Sequence, residues 1–300
     1  MKFNMILPLL AVLAGAPAHA GEAPPAKPTA GVDDKGRATT GDKALYAAVN
    51  GDWRTDEAKA RDRYRHPIES LAFWGLKPGM TILEVQPGAA SWWTDILAPY
   101  ARLTNGKFYA TGADLANPKL SDGARKVRAD FEARYLGKPD LYGKVEVVNW
   151  GAVSTTLPAS TFDFILTARS IHGWMQQGPN VAQETFAEFH KALKPGGILA
   201  VEQHRANPLP AGAAENPASG YVSEAYVIAL AEKAGFKLAA RSEINANPKD
   251  TKDHPFGVWT LPPTLRSSPY GSGKPDDPNF DHSKYLSIGE SDRMTLKFVK

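Results

Sequence analysis

The stretch Thr81-Ile-Leu-Glu-Val-Gln-Pro-Gly-Ala-Ala-Ser91 decides the fold of this 300-residue chain. Its apolar run ends in an acidic residue and then breaks into a Pro-Gly turn of small residues, which predicts a buried strand followed by a ligand loop. Residues 76–80 form the turn before the strand, and residues 92–100 predict the helix after the loop. Small residues there let backbone N–H groups approach a ligand at a helix N-terminus. An ordinary strand-to-helix turn is the alternative, because one glycine motif is weak evidence.

The composition fits one large α/β domain and indicates no nucleic-acid partner. Hydrophobic residues make up 43% of the chain, and the formal charge of +3 is the small difference between 35 basic and 32 acidic side chains. Such a balanced charge lacks the basic excess of nucleic-acid-binding domains. The chain has no cysteine, which excludes disulfides and thiolate metal sites.

The first 20 residues have the features of a secretory signal peptide. Lys2 gives a basic start, residues 5–14 are apolar, and Ala18-His19-Ala20 is a small-x-small cleavage signal. The apolar stretch is shorter than the roughly 20 residues of a membrane-spanning helix, and no later segment of the sequence is long and apolar enough. Residues 21–42 are rich in Ala, Pro and Gly and predict a flexible leader. We therefore expect an exported protein, periplasmic or secreted, whose domain covers residues 43–300.

Alternating strand and helix patterns predict the fold class. After the strand that contains Ile82, strands are expected at residues 107–113, 144–149, 162–167, 197–203, 236–244 and 293–299. Helices are expected at residues 42–49, 55–64, 68–74, 92–100, 120–135, 185–193 and 223–234. This order predicts an α/β, doubly wound, mostly parallel sheet with N-terminal helices at one edge. Residues 245–292 are rich in Pro, Gly and Asp and are too long for a hairpin turn, so they predict an irregular insertion that is functional or disordered.

Polar residues follow four of the predicted strands, at the edge where ligands bind in open α/β sheets. They are Glu84, Asp114, Asn149 and the segment 169–172. An ionised carboxylate accepts two hydrogen bonds from a diol, so Asp114 is suited to binding a ribose. The alternative is that Asp114 caps a helix or forms a turn before Asn117 and Pro118.

In their order along the chain, several motifs resemble the class I S-adenosylmethionine-dependent methyltransferases, and more narrowly a branch of bacterial predicted methyltransferases, many with signal peptides. The resemblance covers residues 44–300. It is carried by Arg61-Asp-Arg-Tyr-Arg-His-Pro67, Ile82-Leu-Glu-Val-Gln-Pro-Gly88, Trp93-Thr-Asp-Ile-Leu-Ala-Pro-Tyr100, Phe162-Asp-Phe-Ile-Leu-Thr-Ala-Arg-Ser-Ile-His172, Leu193-Lys-Pro-Gly-Gly197, Glu202-Gln-His-Arg-Ala206, residues 221–236 and Ser291-Asp-Arg-Met-Thr-Leu-Lys-Phe-Val-Lys300.

The resemblance implies a Rossmann-like sheet of seven strands with an antiparallel last strand, and S-adenosylmethionine as the cofactor. The methionine end of the cofactor would lie against the turn after Glu84, its ribose on Asp114, and its adenine near Asn149 and Trp150. The chain departs from the family's acidic-x-Gly-x-Gly-x-Gly pattern, because Gln86 and Ala90 replace two glycines and only Gly88 remains; the Gln86 side chain is expected to crowd the turn or to replace a backbone contact. Asn149 stands where many relatives have an acidic residue, and its carbonyl oxygen is able to accept a bond from the adenine amino group.

A dinucleotide-binding dehydrogenase on the same fold class is the main enzymatic alternative. Its phosphate loop requires G-x-G-x-x-G. Gln86, Gly88 and Ser91 occupy those positions, so two of the three glycines are missing. The methyltransferase interpretation is therefore favoured.

His172 and His204 are the candidate general bases, because both follow strands at the ligand edge and histidine titrates near neutral pH. The alternative is that each histidine has no catalytic role and only forms hydrogen bonds with neighbouring residues. Glu202 is expected either to pair with one of them or to be a solvated carboxylate. The two histidines with Glu202 or Asp163 could form a metal site, but no short His spacing supports one, and we expect no metal.

Tyr64, on the N-terminal helix that approaches the cofactor in the family, is the third catalytic candidate, while Arg63 and Arg65 are expected to be solvated. Trp92, Trp93, Trp150 and Trp174 are candidates to line an acceptor pocket, with at least two of them expected to be core residues. The predicted function is methyl transfer to a small-molecule acceptor. The alternative is an exported, non-catalytic ligand-binding protein on the same fold, which the two missing glycines favour. The sequence indicates no oligomeric state.

Overall fold

The computed structural model describes residues 43–210 and 212–300. The expected signal peptide (1–20) and leader (21–42) lie outside the described residues. Within them, one sheet contains seven strands: β1 Thr81–Val85, β2 Lys107–Gly112, β3 Val145–Asn149, β4 Phe162–Ala168, β5 Leu193–His204, β6 Lys237–Ser242 and β7 Arg293–Val299. The strand order is β3-β2-β1-β4-β5-β7-β6. Strands β1 to β5 pair in parallel, and β7 is antiparallel to β5 and β6. The predicted fold class is confirmed.

Helices cover the sheet and connect its strands. They are α1 Lys43–Asn50, α2 Asp56–Ala60, α3 Asp62–Arg65, α4 Pro67–Trp74, α5 Thr94–Leu103, α6 Asp122–Tyr135, α7 Pro139–Tyr142, α8 Ile171–Gln177, α9 Val181–Ala192, α10 Glu224–Lys233 and α11 Ser283–Ile288. Among the described residues, no helix combines the length and the apolar character that crossing a membrane requires.

The central strands are buried on both faces, as parallel strands between helices must be. Successive side chains of β1 point to opposite sides of the sheet. Ile82 joins a core with Trp74 and Trp93, whereas Leu83 joins a core with Phe186 on the other face. The sheet therefore separates two apolar cores.

Three local predictions differ from the structure. The single helix expected at residues 55–64 is two short helices, because the chain tightens at Arg61, whose N–H donates to the Ala58 carbonyl three residues back. Strand β5 begins at Leu193, four residues before the strand expected at residues 197–203, and Gly196 inside it has a positive φ of 75°. Helix α8 was not predicted, since its seven residues lack a clear apolar period.

The insertion at residues 245–292 is folded against the domain. It contains one 3-10 turn at Gly257–Thr260, helix α11 and a small apolar core of Leu261, Tyr285 and Ile288. Asn245 anchors its start: the side-chain amide donates to the hydroxyls of Ser70 and Thr295, both at 3.0 Å. The Oδ1 atom of Asn245 lies 3.2 Å from Nδ1 of His66. One side chain thus joins the N-terminal helices, the insertion and β7.

Asn245 is 2% exposed, so replacing it should destabilise the fold, because its buried hydrogen bonds are lost. We expect Asn245→Ala to lower the free energy of unfolding by about 1–3 kcal/mol, since it leaves buried polar groups without partners. Urea unfolding followed by circular dichroism measures the change. Asn207→Ala is the matched control, because that side chain makes its bonds at the surface. Equal stabilities of the two variants would contradict the anchoring role.

Candidate functional site

The order of the strands reverses between β1 and β4, because the chain runs from β1 to β2 and β3 on one side and from β4 to β5 on the other. In open α/β sheets, ligands bind at the carboxyl ends of the strands beside such a reversal. A cavity of about 260 Å³ lies there, lined by Gln86, Pro87, Gly88, Thr111, Gly112, Ala113, Val127, Arg128, Phe131 and Trp150. Three of the predicted cofactor-binding residues, Gln86, Gly88 and Trp150, are therefore in its wall.

The turn after β1 keeps a glycine-like path despite its departures from the family pattern. Gln86 has a φ of +49° and Gly88 a φ of +69°. The left-handed region costs a residue with a side chain roughly 1–2 kcal/mol. Two hydrogen bonds hold Gln86 there: its N–H donates to the Thr111 hydroxyl at 2.8 Å, and its side-chain oxygen accepts from the Trp174 indole at 3.1 Å. Its side chain thus reaches a neighbouring helix, and Ala90 is exposed at the end of the turn.

Glu84 is buried beneath this turn, with 3% of its surface exposed. Burial raises the pKa of its carboxyl to about 8, against the opposing effect of the hydrogen bond that the Thr94 hydroxyl donates at 2.6 Å. The nearby charge of Asp95 raises this pKa further. At pH 7 most Glu84 carboxyls are therefore neutral in the free protein.

Asp114 lies just past β2 and is 3% exposed. Its carboxylate accepts four hydrogen bonds from its own chain: from N–H of Ser154 (2.6 Å) and Val153 (2.9 Å), from the Ser154 hydroxyl (2.7 Å), and from N–H of Ala116 (3.2 Å). These bonds, with that of the Ser154 N–H the largest, lower the pKa of Asp114. The Ala116 bond is the turn-forming contact of the alternative interpretation. A ribose at Asp114 must therefore compete with residues 153–154.

The polar group of Asn149 is also engaged. Its Oδ1 accepts from Nη1 of Arg128 at 3.1 Å, and the same nitrogen donates to the Ala113 carbonyl at 3.2 Å. A Cβ atom on Gly112 would lie 2.3 Å from this nitrogen, so a glycine is required for Arg128 to lie there. Sequence reasoning missed Arg128, because on its helix it is one of several charged residues, paired with Glu132 four positions on.

The four tryptophans divide as expected between packing and cavity. Trp92, Trp93 and Trp174 are buried, and their indole nitrogens donate to the Ala58 carbonyl, to Glu202 and to Gln86. Trp150 alone among the four lines the cavity.

His172 and His204 lie side by side past β4 and at the end of β5, with ring centroids 5.9 Å apart. The amide of Gln203 has its oxygen on the N–H of Ile171, so its nitrogen donates to Nδ1 of His172 at 3.2 Å. Nδ1 of His204 is 2.6 Å from the Ser291 hydroxyl. Burial lowers the pKa of His172 to about 4, and burial with the nearby positive charge lowers that of His204 well below its usual range. Both rings are neutral at pH 7.

The hydrogen-bond partners of His172 and His204 determine which of the two rings has a free nitrogen that is able to accept a proton. Because Nδ1 accepts from Gln203, the ring proton is on Nε2, and His172 presents a donor to a ligand. This pattern does not suit His172 to the predicted role of base. A serine hydroxyl can donate or accept, so His204 is able to keep its proton on Nδ1 and present a free Nε2.

The predictions for Glu202 and Arg65 were wrong. Glu202 pairs with neither histidine and is not solvated: it is 1% exposed and accepts from Nη1 of Arg293 at 2.7 Å. Arg65 is also buried, and its Nε donates to Glu290 at 3.0 Å. In both cases β7 and the residues before it supply the partner across more than 90 positions of sequence, so no local pattern signals it. Arg63 is exposed, as expected, and stacks on Tyr64.

Tyr64 is held at the start of β7. Its carbonyl accepts from Nη2 of Arg293 at 2.7 Å, and a Cβ atom on Gly289 would come within 2.6 Å of its ring. Within the described residues, none of its contacts joins its hydroxyl to either histidine. These contacts of Tyr64 therefore lie at Arg293 and Gly289 rather than at the histidines.

No group of three metal-ligating side chains occurs in the part of the chain that the structure describes. Asp163 is the second residue of β4, at the sheet edge opposite the histidines, where it accepts hydrogen bonds from the Thr81 N–H and from Nζ of Lys194. It is therefore unable to join the histidines and Glu202 in one ligand set.

The raised pKa of Glu84 should make stability depend on pH. The unfolded carboxyl ionises near pH 4.5 and the folded one near pH 8, so folding loses stability as pH rises between these values. Glu84→Gln removes this dependence: relative to the parent protein, the variant should gain on the order of 3 kcal/mol between pH 5 and pH 8. Urea unfolding at both pH values measures it, with the exposed Glu232→Gln as control. A constant difference at both pH values would refute the assignment.

Comparison with known proteins agrees with this geometry. Residues 94–201, from α5 to β5, match the profile of the family described as "Methyltransferase domain". No curated protein matches the chain. Among solved structures, the 4+2 cyclase SpnF has a TM-score of 0.52 and 16% identity, over 87% of this chain and 93% of that one.

Two further structures have lower TM-scores. A SAM-dependent methyltransferase from Aquifex aeolicus has a TM-score of 0.45 and 24% identity, over 62% of this chain and 87% of that one. The 1,6-didemethyltoxoflavin-N1-methyltransferase of Burkholderia thailandensis, solved with S-adenosylhomocysteine, has a TM-score of 0.43 and 16% identity, over 85% and 84%. Over residues 94–201 the chain therefore matches a methyltransferase domain, and the seven-stranded sheet with its antiparallel last strand agrees with that match.

Proposed function

We propose that this protein methylates a small-molecule acceptor at the strand reversal between β1 and β4, and that it does so outside the cytoplasm. The observation that carries the proposal is the cavity at this reversal, with two neutral histidines at the ends of the next strands. Fold alone is insufficient support, since the cyclase SpnF has a similar fold. The match of residues 94–201 to a methyltransferase domain supplies the reaction class.

The residues around the cavity fit an adenosine-type cofactor. The aromatic rings of Phe131 and Trp150 offer apolar faces to a base, and a side chain at Gly88 would meet no atom within 4 Å, so the backbone there is open to a ligand. Asp114 and Asn149 are next in sequence to the lining residues Ala113 and Trp150. Cofactor binding exchanges their bonds with residues 153–154 and Arg128 for bonds with ribose and adenine. S-adenosylmethionine, when bound, supplies an electrophilic methyl group.

The chain's own contribution to the reaction is mainly positioning, because methyl transfer requires an aligned nucleophile and a base only for a protonated acceptor. His172 presents an N–H toward the acceptor and orients it. His204 presents a free Nε2 when Ser291 accepts from Nδ1, and so is the residue able to take a proton. Its low pKa makes it a weak base, which suits an acceptor whose nucleophilic group gives up its proton easily.

Export is proposed from residues 1–20. We expect the mature protein recovered from the periplasm or the medium to begin at Gly21, because Ala18-His19-Ala20 provides the cleavage signal. Intact-mass measurement of the recovered protein tests this, and a variant lacking residues 2–20 is expected to remain in the cytoplasm. An uncleaved chain found only in the cytoplasm would contradict export.

Cofactor binding is tested by calorimetry on mature protein (residues 21–300). S-adenosylmethionine and S-adenosylhomocysteine should both bind saturably and NAD should not. Asp114→Ala should weaken both ligands at least tenfold, about 1.4 kcal/mol, since it removes the carboxylate assigned to the ribose. Asp140→Ala is the control, because that residue is exposed.

Three outcomes separate the hypotheses. Unchanged affinity in Asp114→Ala would remove its ribose role. Binding of NAD alone would favour a dehydrogenase. No binding of any of the three would favour the alternative of a non-catalytic ligand-binding protein.

A further inference from the structure

We propose that Arg65, Arg169 and Arg293 form a carboxylate-binding site for the acceptor, so that the substrate class is a small carboxylic acid. The claim that the bound carboxylic acid is the methyl acceptor rests on the proposed function. The anion site itself rests only on the charges of the described residues.

The site has an excess of positive charge. Four guanidinium groups, of Arg61, Arg65, Arg169 and Arg293, surround two carboxylates, Glu202 and Glu290. Glu290 accepts from Arg61 at 2.6 Å and from Arg65 at 3.0 Å, and lies 3.2 Å from Nη1 of Arg293. Arg169 is left with a distance of 3.8 Å to Glu202, too long for a hydrogen bond. Two of the four positive charges are therefore uncompensated within the cluster.

Three of these guanidinium groups also have spare donors. Nη1 of Arg65, Nη1 of Arg169 and Nε of Arg293 are buried and have no hydrogen-bond partner within the described residues. The side chains of Arg65 and Arg293 are 3% and 1% exposed. Unpaired buried N–H groups on a charged side chain are costly and rare, so a ligand that accepts from them is favoured. A carboxylate matches the fork of an arginine better than any neutral group.

The cluster is reachable and lies apart from the cofactor cavity. The Arg169 side chain is 24% exposed, and it precedes the half-buried His172 by three positions. The cavity wall comes from the ends of β1 and β2 and from α6, whereas the arginines come from α3, from the end of β4 and from β7. An anion on the arginines therefore lies on the β4 side of the strand reversal, where the two histidines are.

Conditions at the histidines agree with an anionic acceptor. Burial, with a smaller contribution from the positive charge of Arg169, lowers the pKa of both rings, so neither ring is a cation beside the ligand. The half-buried Trp259 lies 5.6 Å from His172 by ring centroids and provides aromatic surface for the rest of the ligand. A small aromatic carboxylic acid has both a carboxylate for the arginines and a ring for the aromatic surface.

The test uses benzoate and its neutral analogue benzamide, titrated calorimetrically into mature protein at pH 7 and low salt. Benzoate should bind saturably and at least tenfold more tightly than benzamide. Arg169→Met should weaken benzoate at least tenfold, and Arg169→Lys should recover part of the loss. Arg169 is the chosen position because it makes no side-chain hydrogen bond within the described residues, so the fold should survive; urea unfolding verifies this. Arg102→Met, at an exposed arginine that bonds the Leu141 carbonyl, is the control and should bind benzoate normally.

Equal binding of benzoate and benzamide, or unchanged benzoate affinity in Arg169→Met, would overturn the proposal. Competition between benzoate and S-adenosylhomocysteine would also overturn it, because the arginines would then hold the carboxylate of the cofactor. Benzoate binding that persists when S-adenosylhomocysteine fails to bind would support the anion site while contradicting the proposed methyl transfer.

Discussion

The buried ion pair between Arg293 and Glu202, at 2.7 Å, is the interaction on which the arrangement of the site depends. Arg293 begins β7 and Glu202 lies near the end of β5, and the same guanidinium donates to the Tyr64 carbonyl. Burial raises the pKa of Glu202, while Arg293, Arg169 and Arg65 lower it, and the net shift is downward. Removing one partner of such a pair typically costs roughly 3–5 kcal/mol, because the other charge is left alone in a low-dielectric interior.

The insertion before β7 supplies the partners that this ion pair needs. It ends with Glu290, Ser291 and Asp292, all of which are buried. Glu290 pairs with Arg61, just before α3, and with Arg65 in α3. Ser291 contacts His204, and Asp292 accepts from Arg205 on the other side. A long segment between two antiparallel strands therefore acts as a wall of the site. Burial alone would raise the pKa of Glu290, but the charges of three neighbouring arginines outweigh burial and lower this pKa to about 2.

Local sequence patterns were sufficient for the strands and insufficient for the partners of their end residues. The prediction for β7 at residues 293–299 matched, because alternation with a polar start is a local signal. Glu202 was expected to pair with a histidine or to be solvated, and Arg65 to be solvated, since a charged residue at a strand end or on a helix is usually exposed. Their partners are distant in sequence, so only the assembled sheet shows them. Asp114 is intermediate: its position past β2 was predictable, but its bonds to residues 153–154 were not.

The turn after β1 shows how a departure from a family pattern can leave the backbone path unchanged. The sequence suggested that Gln86 crowds the turn or replaces a contact, and the structure supports the second interpretation, since its amide reaches Trp174 rather than the cavity interior. Two hydrogen bonds, each contributing about 1 kcal/mol net, are enough to offset the roughly 1–2 kcal/mol cost of a left-handed residue with a side chain. The missing glycine therefore changes the chemical surface of the turn more than its shape. Because Trp174 belongs to α8, which also carries His172, this bond connects the cofactor side of the strand reversal to the side where the arginines and histidines lie.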